Sequence, residues 1–481
     1  MNEIPKDKKG WRILRRILIG MAIFATLIAI FYTEEDWRGK RAWENCKGEL
    51  EAKGAVLDWD KFIPPPVPDD QNFFKAPKMQ EWFVKHPKAT TNELNTLVTN
   101  ASKIATITDK TAAEHFLAWS DQFQPVFDSL REALKRPYAR MDGDYAKPYE
   151  IPIPHFVNVR AVAQALAQRA KCDLLLGQPD KALNELALLN NSRHLMERTP
   201  TGQPMTLVDA MVNVAITGLY VNTIAEGLRS QIWQEPQLVA LQEQLKEINL
   251  TPFVARAFES EPAATCRTLE TADLRKITLV SSASGSSRSF WQKVSDLNYN
   301  KYALVPRGWV YQNMALITSL GGQRAEGFDL TNNQILPGKF EDLMRKVNTS
   351  VVNKPYNFLA VMFMPNITKA SQTLAHNQTL VNEAQIVCAL ERYRLAHGEY
   401  PETLDALVPQ FIEKLPHDII GGQPSQDSGP ASQPLHYRRT SDGKFLLYSV
   451  GWNETDDGGL SSPQAANGAI DYAKGDWVWK N

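Results

Sequence analysis

Residues 17–33, "ILIGMAIFATLIAIFYT", contain no charged side chain. At about 1.5 Å of rise per residue, such a run reaches the short end of what crosses a bilayer. Ile13 and Leu14 extend its apolar face, while Arg15 and Arg16 can carry their charges out along it to the headgroups. A transmembrane helix over residues 13–33 is therefore predicted. Beyond it, "WRGKRAWENCKGELEAKGAVL" is helical in composition and ends near Gly54. Prolines 64, 65, 66 and 68 lack amide donors and favour an extended, stiff spacer.

Helical periodicity returns over 79–136, interrupted at Pro87 and Pro125, and a Pro/Gly loop follows over 136–156. Residues 157–197 predict a helical hairpin. Val159, Val162, Ala163 and Leu166 share one face, Gly177 and Pro179 make the turn, and Ala182, Leu183, Leu186 and Leu189 face inward. "LGQPDKALNEL" looks like one tetratricopeptide unit, but nothing similar recurs about 34 residues on, so the hairpin predicts packing rather than a peptide groove. Helices continue through 206–247. The apolar segment 205–225 carries Asp209, Asn213 and Asn222, which suits a buried helix better than a second span. Residues 279–291 form a Ser/Gly-rich loop, and 356–364 are too short to span.

From 371 the pattern becomes regular. Ile386, Ala389, Leu390 and Tyr393 lie on one face of an amphipathic helix stopped by Gly398. A short helix with Thr403 to Leu407 inside it, bounded by Pro401 and Pro409, follows, and then a flexible insert over 421–434. "LHYRRT" and "KFLLYSV" are then strands joined by "SDG".

Charge sets the orientation. The first sixteen residues hold six Lys/Arg against two acids, and Glu34, Glu35 and Asp36 follow the apolar run. Basic before and acidic after predicts a cytoplasmic N-terminus and an extracytoplasmic remainder. A cleaved leader would have an apolar core of about 7–15 residues ending in small side chains. "IAIFYTEED" is bulky there, which points to an uncleaved signal anchor. With 43% hydrophobic and 22% charged residues the chain is ordinary globular protein, and no basic patch recommends nucleic acid as a partner. Cys46, Cys172, Cys266 and Cys388 could pair in three ways in an oxidising compartment, or stay as buried thiols.

The C-terminal text resembles the globular domain of the type II secretion major pseudopilin. Gly398, Tyr400, Pro401, Leu404, Leu407, Leu415, Pro416, Asp418, Tyr448, Ser449, Gly451, Gly458, Gly459 and Trp477 carry the resemblance. It implies a long helix against a small antiparallel sheet, in a bacterial cytoplasmic (inner) membrane protein with a periplasmic body. Here the apolar helix lies far upstream of that domain. "IGMAIFA" has Ala25 where a pilin's early glutamate would stand, so a borrowed module is expected rather than a pilus subunit. The closing loop of that family can hold calcium. Asp456 and Asp457 match its acidic end, Asn453 stands where an aspartate is usual, and Asp471 lies where the chain returns. The resemblance thus implies Ca2+ held by Asn453, Asp456, Asp457 and Asp471, against the plain alternative that Asp, Asn and Gly are what loops are made of. An EF-hand is excluded by Gln464 at its twelfth position.

No zinc-type histidine pair, nucleophile elbow, P-loop or dinucleotide fingerprint occurs, and no catalytic residue is assigned. The expected fold class is α+β: an N-terminal transmembrane helix, a mainly α-helical central body and a small C-terminal α+β pseudopilin-like domain with an antiparallel sheet. The expected divisions are a cytoplasmic tail and anchor (1–36), a stalk helix and Pro-rich spacer (37–78), a helical body with one tetratricopeptide-like hairpin (79–280), a mixed connecting region (281–370) and the pseudopilin-like domain (371–481). The expected role is a membrane-anchored structural or interaction protein with protein partners in the envelope, accessory to secretion or envelope assembly. The alternative is an extracytoplasmic hydrolase with its site in the helical body.

Overall fold

The structure is a computed structural model that describes residues 7–84, 94–101, 107–148, 150–271, 305–353, 355–357, 360, 367–421, 434–461 and 471–480. The Ser/Gly-rich stretch 279–291 lies outside these residues, as does nearly all of the insert 421–434. The chain is mainly helical, at 65%, with a small antiparallel sheet and a long apolar N-terminal helix. Two compact units interleave along it. One holds Met1–Leu57, Pro262–Gly322 and Lys346–Pro365, and the other holds Asp58–Glu261, Gln323–Arg345 and Asn366–Asn481. Contacts therefore partition the chain differently from sequence order.

In the first unit, α1 runs unbroken over Asp7–Ala52, and Gly54 follows with φ +91°. Its large apolar side chains from Trp11 to Phe31 are all exposed, and its apolar window has no buried residue. Such a helix is compatible with a transmembrane or signal anchor. Past Thr33 the same helix enters a core. Trp43 joins Cys266, Leu269, Val310, Met314, Ile317 and Ala360 in one apolar cluster. The acidic residues after the apolar run serve this contact. Asp36 Oδ1 accepts the Gly308 N–H at 2.6 Å and Glu35 Oε2 accepts the Trp309 indole N–H at 2.9 Å, at the start of α11 (Arg307–Ala325). Carboxylates suit a helix N-terminus because its free N–H groups and dipole favour negative charge. The backbones approach so closely that a Cβ on Gly308 would run into the Glu35 carbonyl, which is why that position is glycine.

In the second unit, short helices α2 (Met79–Phe83), α3 (Leu94–Ala101), α4 (Lys110–Ser120) and α5 (Gln124–Ala133) precede the predicted hairpin. That hairpin is α6 (Phe156–Leu175) and α7 (Pro179–Arg193), turned at Gly177 with φ +72°. Next come α8 (Leu207–Arg229), α9 (Glu235–Lys246) and α10 (Leu250–Thr271), whose residues from Pro262 onward belong to the first unit. The apolar α8 is two-thirds buried inside the second unit, where Asn213 and Thr217 are fully covered. The proline stretch also belongs to the folded body: Pro64 is buried and its carbonyl accepts the Arg140 Nε–H at 3.2 Å.

The connecting region supplies a two-residue hairpin, β1 (Phe328–Asp329) with β2 (Gln334–Ile335), and then α12 (Pro337–Asn353). Phe328, Phe340 and Trp452 follow one another at 5.2 and 5.9 Å, and Ile335 exchanges backbone bonds with Ile419 and Gly421. The C-terminal part opens with the 31-residue α13 (Ile367–His397), ended at Gly398 with φ +85°. Its strands are β3 (His436–Arg439), β4 (Phe445–Ser449) and β5 (Trp477–Val478), antiparallel in that order, with Tyr437 opposite Leu447 and Ser449 opposite Trp477. α13 packs against β4, and also against α8 and α9 of the helical body. It is covered on both sides, so Asn377, Gln378, Asn382 and Glu383 are all buried.

Candidate functional site

β4 runs into a tight turn, with Gly451 at φ +69° and Glu454 at φ +55°, that carries the acidic loop. The four predicted ligands divide. Asn453 Nδ2 donates to Asp457 Oδ2 at 2.9 Å. Asp456 turns elsewhere: Oδ1 accepts from the Tyr448 hydroxyl at 3.0 Å and the Gly458 N–H at 2.9 Å, and Oδ2 lies 3.6 Å from His436 Nδ1. The Gly458 N–H and the Tyr448 hydroxyl hold the Asp456 carboxyl below its ordinary range. Asp471 pairs with Lys474 at 3.1 Å and is likewise lowered. The structure thus brings Asn453 and Asp457 together, and engages Asp456 and Asp471 separately. Among the described residues no group of three or more His, Cys, Asp or Glu converges as a metal site.

The carboxylate that organises the loop is Asp476, which sequence reasoning passed over. It is 1% exposed and accepts the Asp457 N–H at 3.2 Å and the Gly459 N–H at 2.6 Å, one on each oxygen. A single acidic residue immediately before the two-residue strand β5 carries no periodic signal, and only the fold reveals its use.

Beneath this loop, α13 presents His376, Thr379 and Glu383 on one face, at i, i+3 and i+7. Glu383 is fully buried and neither of its carboxyl oxygens has a partner among the described residues. Asn382 donates to the His417 carbonyl at 3.0 Å, which draws Asp418 to this layer. Asp418 accepts the Ile420 N–H at 3.0 Å and is pushed up to about 6 by burial. Burial, then the Asp418 charge, drives Glu383 well above the usual carboxylate range. His376 lies 4.4 Å from the Tyr472 ring and 5.4 Å from Trp477, and burial lowers it to about 4. Burial thus favours the uncharged form of each of these three groups. The four cysteines are free thiols; Cys172, Cys266 and Cys388 are buried and raised by that burial.

The helical body has its own concave site. Loop residues Pro64, Phe74, Met141 and Tyr145 face Met205 and Asp209 at the start of α8, around about 480 Å³ of space that includes an open mouth. Its wall is mostly apolar, the usual character of a small-molecule site. Asp209 is its one carboxylate. Burial, partly opposed by Thr206, pushes that carboxyl up to about 6. Sequence reasoning met Asp209 only as an argument against a second membrane span, because the loops that complete the site have no periodicity to read. Comparison with protein-family models, with curated proteins and with solved structures finds no match for this chain.

Proposed function

We infer that this chain is a membrane-tethered interaction protein of the bacterial envelope. Residues 13–33 cross the cytoplasmic membrane once, with the N-terminus cytoplasmic and the bulk outside. The helix-and-sheet C-terminus acts as a pseudopilin-like module, accessory to secretion or envelope assembly. One observation carries the reading: a helix whose large apolar residues from Trp11 to Phe31 are all exposed continues without a break into a packed core. Exposed apolar surface of that extent demands a covering phase, and lipid supplies it.

The alternative was an extracytoplasmic hydrolase within the helical body. The concave site there is lined mostly by apolar side chains, with one carboxylate, Asp209, while Arg140 and Tyr145 donate to backbone carbonyls, so it presents no second carboxylate or histidine to pair with Asp209 in acid–base work. Binding is the better-supported use. Alkaline extraction of membranes, followed by protease digestion of intact spheroplasts, tests the topology. The chain should stay in the membrane pellet and lose its C-terminal part to external protease. Release into the soluble fraction, or full protection of the body, would overturn the reading.

A further inference from the structure

Two tryptophans are exposed among the described residues, Trp11 at 69% and Trp37 at 62%, and both lie on α1. They flank the uncharged run 17–33. At 1.5 Å of rise per residue they stand about 39 Å apart, against about 40–45 Å for a bilayer with its headgroup layers. An exposed indole favours that layer, where its apolar ring and its polar N–H are both accommodated. On the single-span reading, Trp37 therefore falls among the headgroups on the side of the folded body.

The first unit begins at the same level. Glu35 and Asp36 hold the start of α11, and beside them Trp309 lies 6.0 Å from Tyr356. Arg38 spans this corner: it donates to both Glu35 oxygens at 2.6 and 2.7 Å, with its guanidinium 5.8 Å from the Tyr356 ring. Asp36 is only about 5 Å along the helix from Thr33, where the uncharged run ends, a rise comparable to one headgroup layer.

Arg41 is placed differently from these residues. Its guanidinium lies 5.4 Å from the Trp37 ring, and both side chains are exposed, one turn apart on α1. No carboxylate pairs with Arg41 among the described residues: Glu35 is taken by Arg38, Asp36 by the Gly308 N–H, and Glu44 lies 3.9 Å from Lys40. Glu34 is the one acid of its triplet left exposed. Helical side chains lean toward the N-terminus, so Trp37 and Arg41 both reach back toward the apolar run.

We propose that Trp37 and Arg41 form a docking surface for an anionic phospholipid of the adjacent leaflet, with the indole among the headgroups and the Arg41 guanidinium donating to the lipid phosphate. The chemistry follows from the pair. A guanidinium matches a phosphodiester through parallel N–H donors, and it keeps its charge while lying on an aromatic face. The proposal rests on the single-span reading. To that reading it adds a lipid partner and a seat for the first unit on the membrane surface.

The test uses the full chain reconstituted in phosphatidylcholine vesicles and washed at alkaline pH. Trp37 emission is taken as the difference between the parent and Trp37→Phe, a change at an exposed position. Lipid brominated on its acyl chains near the glycerol should quench that emission, and aqueous iodide should spare it. Brominated phosphatidylglycerol should quench at about one-fifth of the mole fraction that brominated phosphatidylcholine needs. That ratio corresponds to the roughly 1 kcal/mol that one cationic side chain contributes at an anionic surface. Arg41→Gln, measured against its own Trp37→Phe counterpart, should remove the preference. Quenching by iodide and not by lipid, in a chain that stays in the vesicles, overturns the proposal and leaves the span standing. Equal quenching by the two lipids in the parent, or a preference that survives Arg41→Gln, overturns it as well. A chain that washes out of the vesicles overturns the span and the proposal together.

Discussion

Arg169 and Glu383 are both charged residue types buried in the middle of long helices, yet they are handled in opposite ways. Arg169 on α6 is answered from two further elements. Its Nε donates to Glu185 on α7 at 2.8 Å, and its Nη1 donates to Ser120 at 2.5 Å and Asp121 at 2.9 Å beside α4. Glu383 on α13 meets no donor among the described residues, and the ionisable neighbour that acts on it, Asp418, is another carboxyl. A buried charge survives where opposite charge and hydrogen bonds replace the lost water; otherwise the group keeps or gives up a proton and becomes neutral. The first arrangement locks a hairpin, and the second makes stability depend on pH.

Breaking the paired site should have the largest effect. Arg169→Met keeps the stem but strands Glu185, which is only 6% exposed. The expected loss is about 3–5 kcal/mol in urea unfolding, the usual result of removing one partner of a buried ion pair. Adding Glu185→Gln should restore most of it. If the double variant is no more stable than the single one, Arg169 acts through packing and the comparison loses one side.

The unpaired site predicts a different kind of response. Asp418 and Glu383 both hold protons more tightly in the folded chain than in the unfolded one. Their contribution is complete at low pH and is withdrawn as pH rises, through about 6 for Asp418 and above the ordinary carboxylate range for Glu383. His376 works in the other direction: because its pKa is lowered to about 4, it costs stability as pH falls below its ordinary range, not above it. As pH rises above the ordinary carboxylate range, Glu383 and Asp418 are therefore the members of this layer that titrate, each at no more than about 1.4 kcal/mol per pH unit. Urea midpoints of the parent chain should fall over that rise. Glu383→Gln should flatten the decline and be at least as stable as the parent at pH 9. A parallel decline in both chains would place the pH dependence elsewhere.

The acidic loop repeats the contrast on a smaller scale. Asp476→Ala removes the acceptor of two backbone N–H groups, at 3.2 and 2.6 Å, and should cost about 1–3 kcal/mol. Asp456→Asn, in an exposed position, should fall within about 0.5 kcal/mol of the parent. Equal losses from the two would mean that Asp476 does not organise the loop.

The helix ends and turns were legible because their signals are local. Gly177, Gly398 and Gly443 all take the positive φ expected of them, at +72°, +85° and +79°. The strands around "SDG" and the hairpin of α6 and α7 also form where the periodicity predicts. Glu383 was not legible, because helical periodicity assumes one wet face and the middle of α13, over 371–391, has none: β4 covers one side, and α8 and α9 the other. The Asp209 pocket escaped for a related reason. Its wall joins an aperiodic loop over 136–156 and the proline stretch, read as a spacer, to the first turn of a helix weighed only as a candidate second span. Asp476 shows the reverse error of emphasis: the clustered acids drew attention, and the solitary one closes the loop.

Calcium should give the smallest effect. The resemblance implies a site at Asn453, Asp456, Asp457 and Asp471, but the described hydrogen bonds already employ all four side chains. To reach the six to eight oxygens calcium prefers, an ion would have to displace Lys474 from Asp471 and turn the Asn453 amide so that its oxygen faces Asp457. Each rearrangement subtracts from affinity, so any site would be of the weak, millimolar class. Millimolar calcium in place of a chelator should then stabilise the full chain by about 1 kcal/mol or less, and Asp457→Asn should abolish the difference. Magnesium at the same concentration should do less, since it demands a tighter octahedral shell. An identical unfolding midpoint with calcium and with chelator would leave the loop as a backbone scaffold alone, held by Asp476 on two backbone N–H groups and by Asp456 on one.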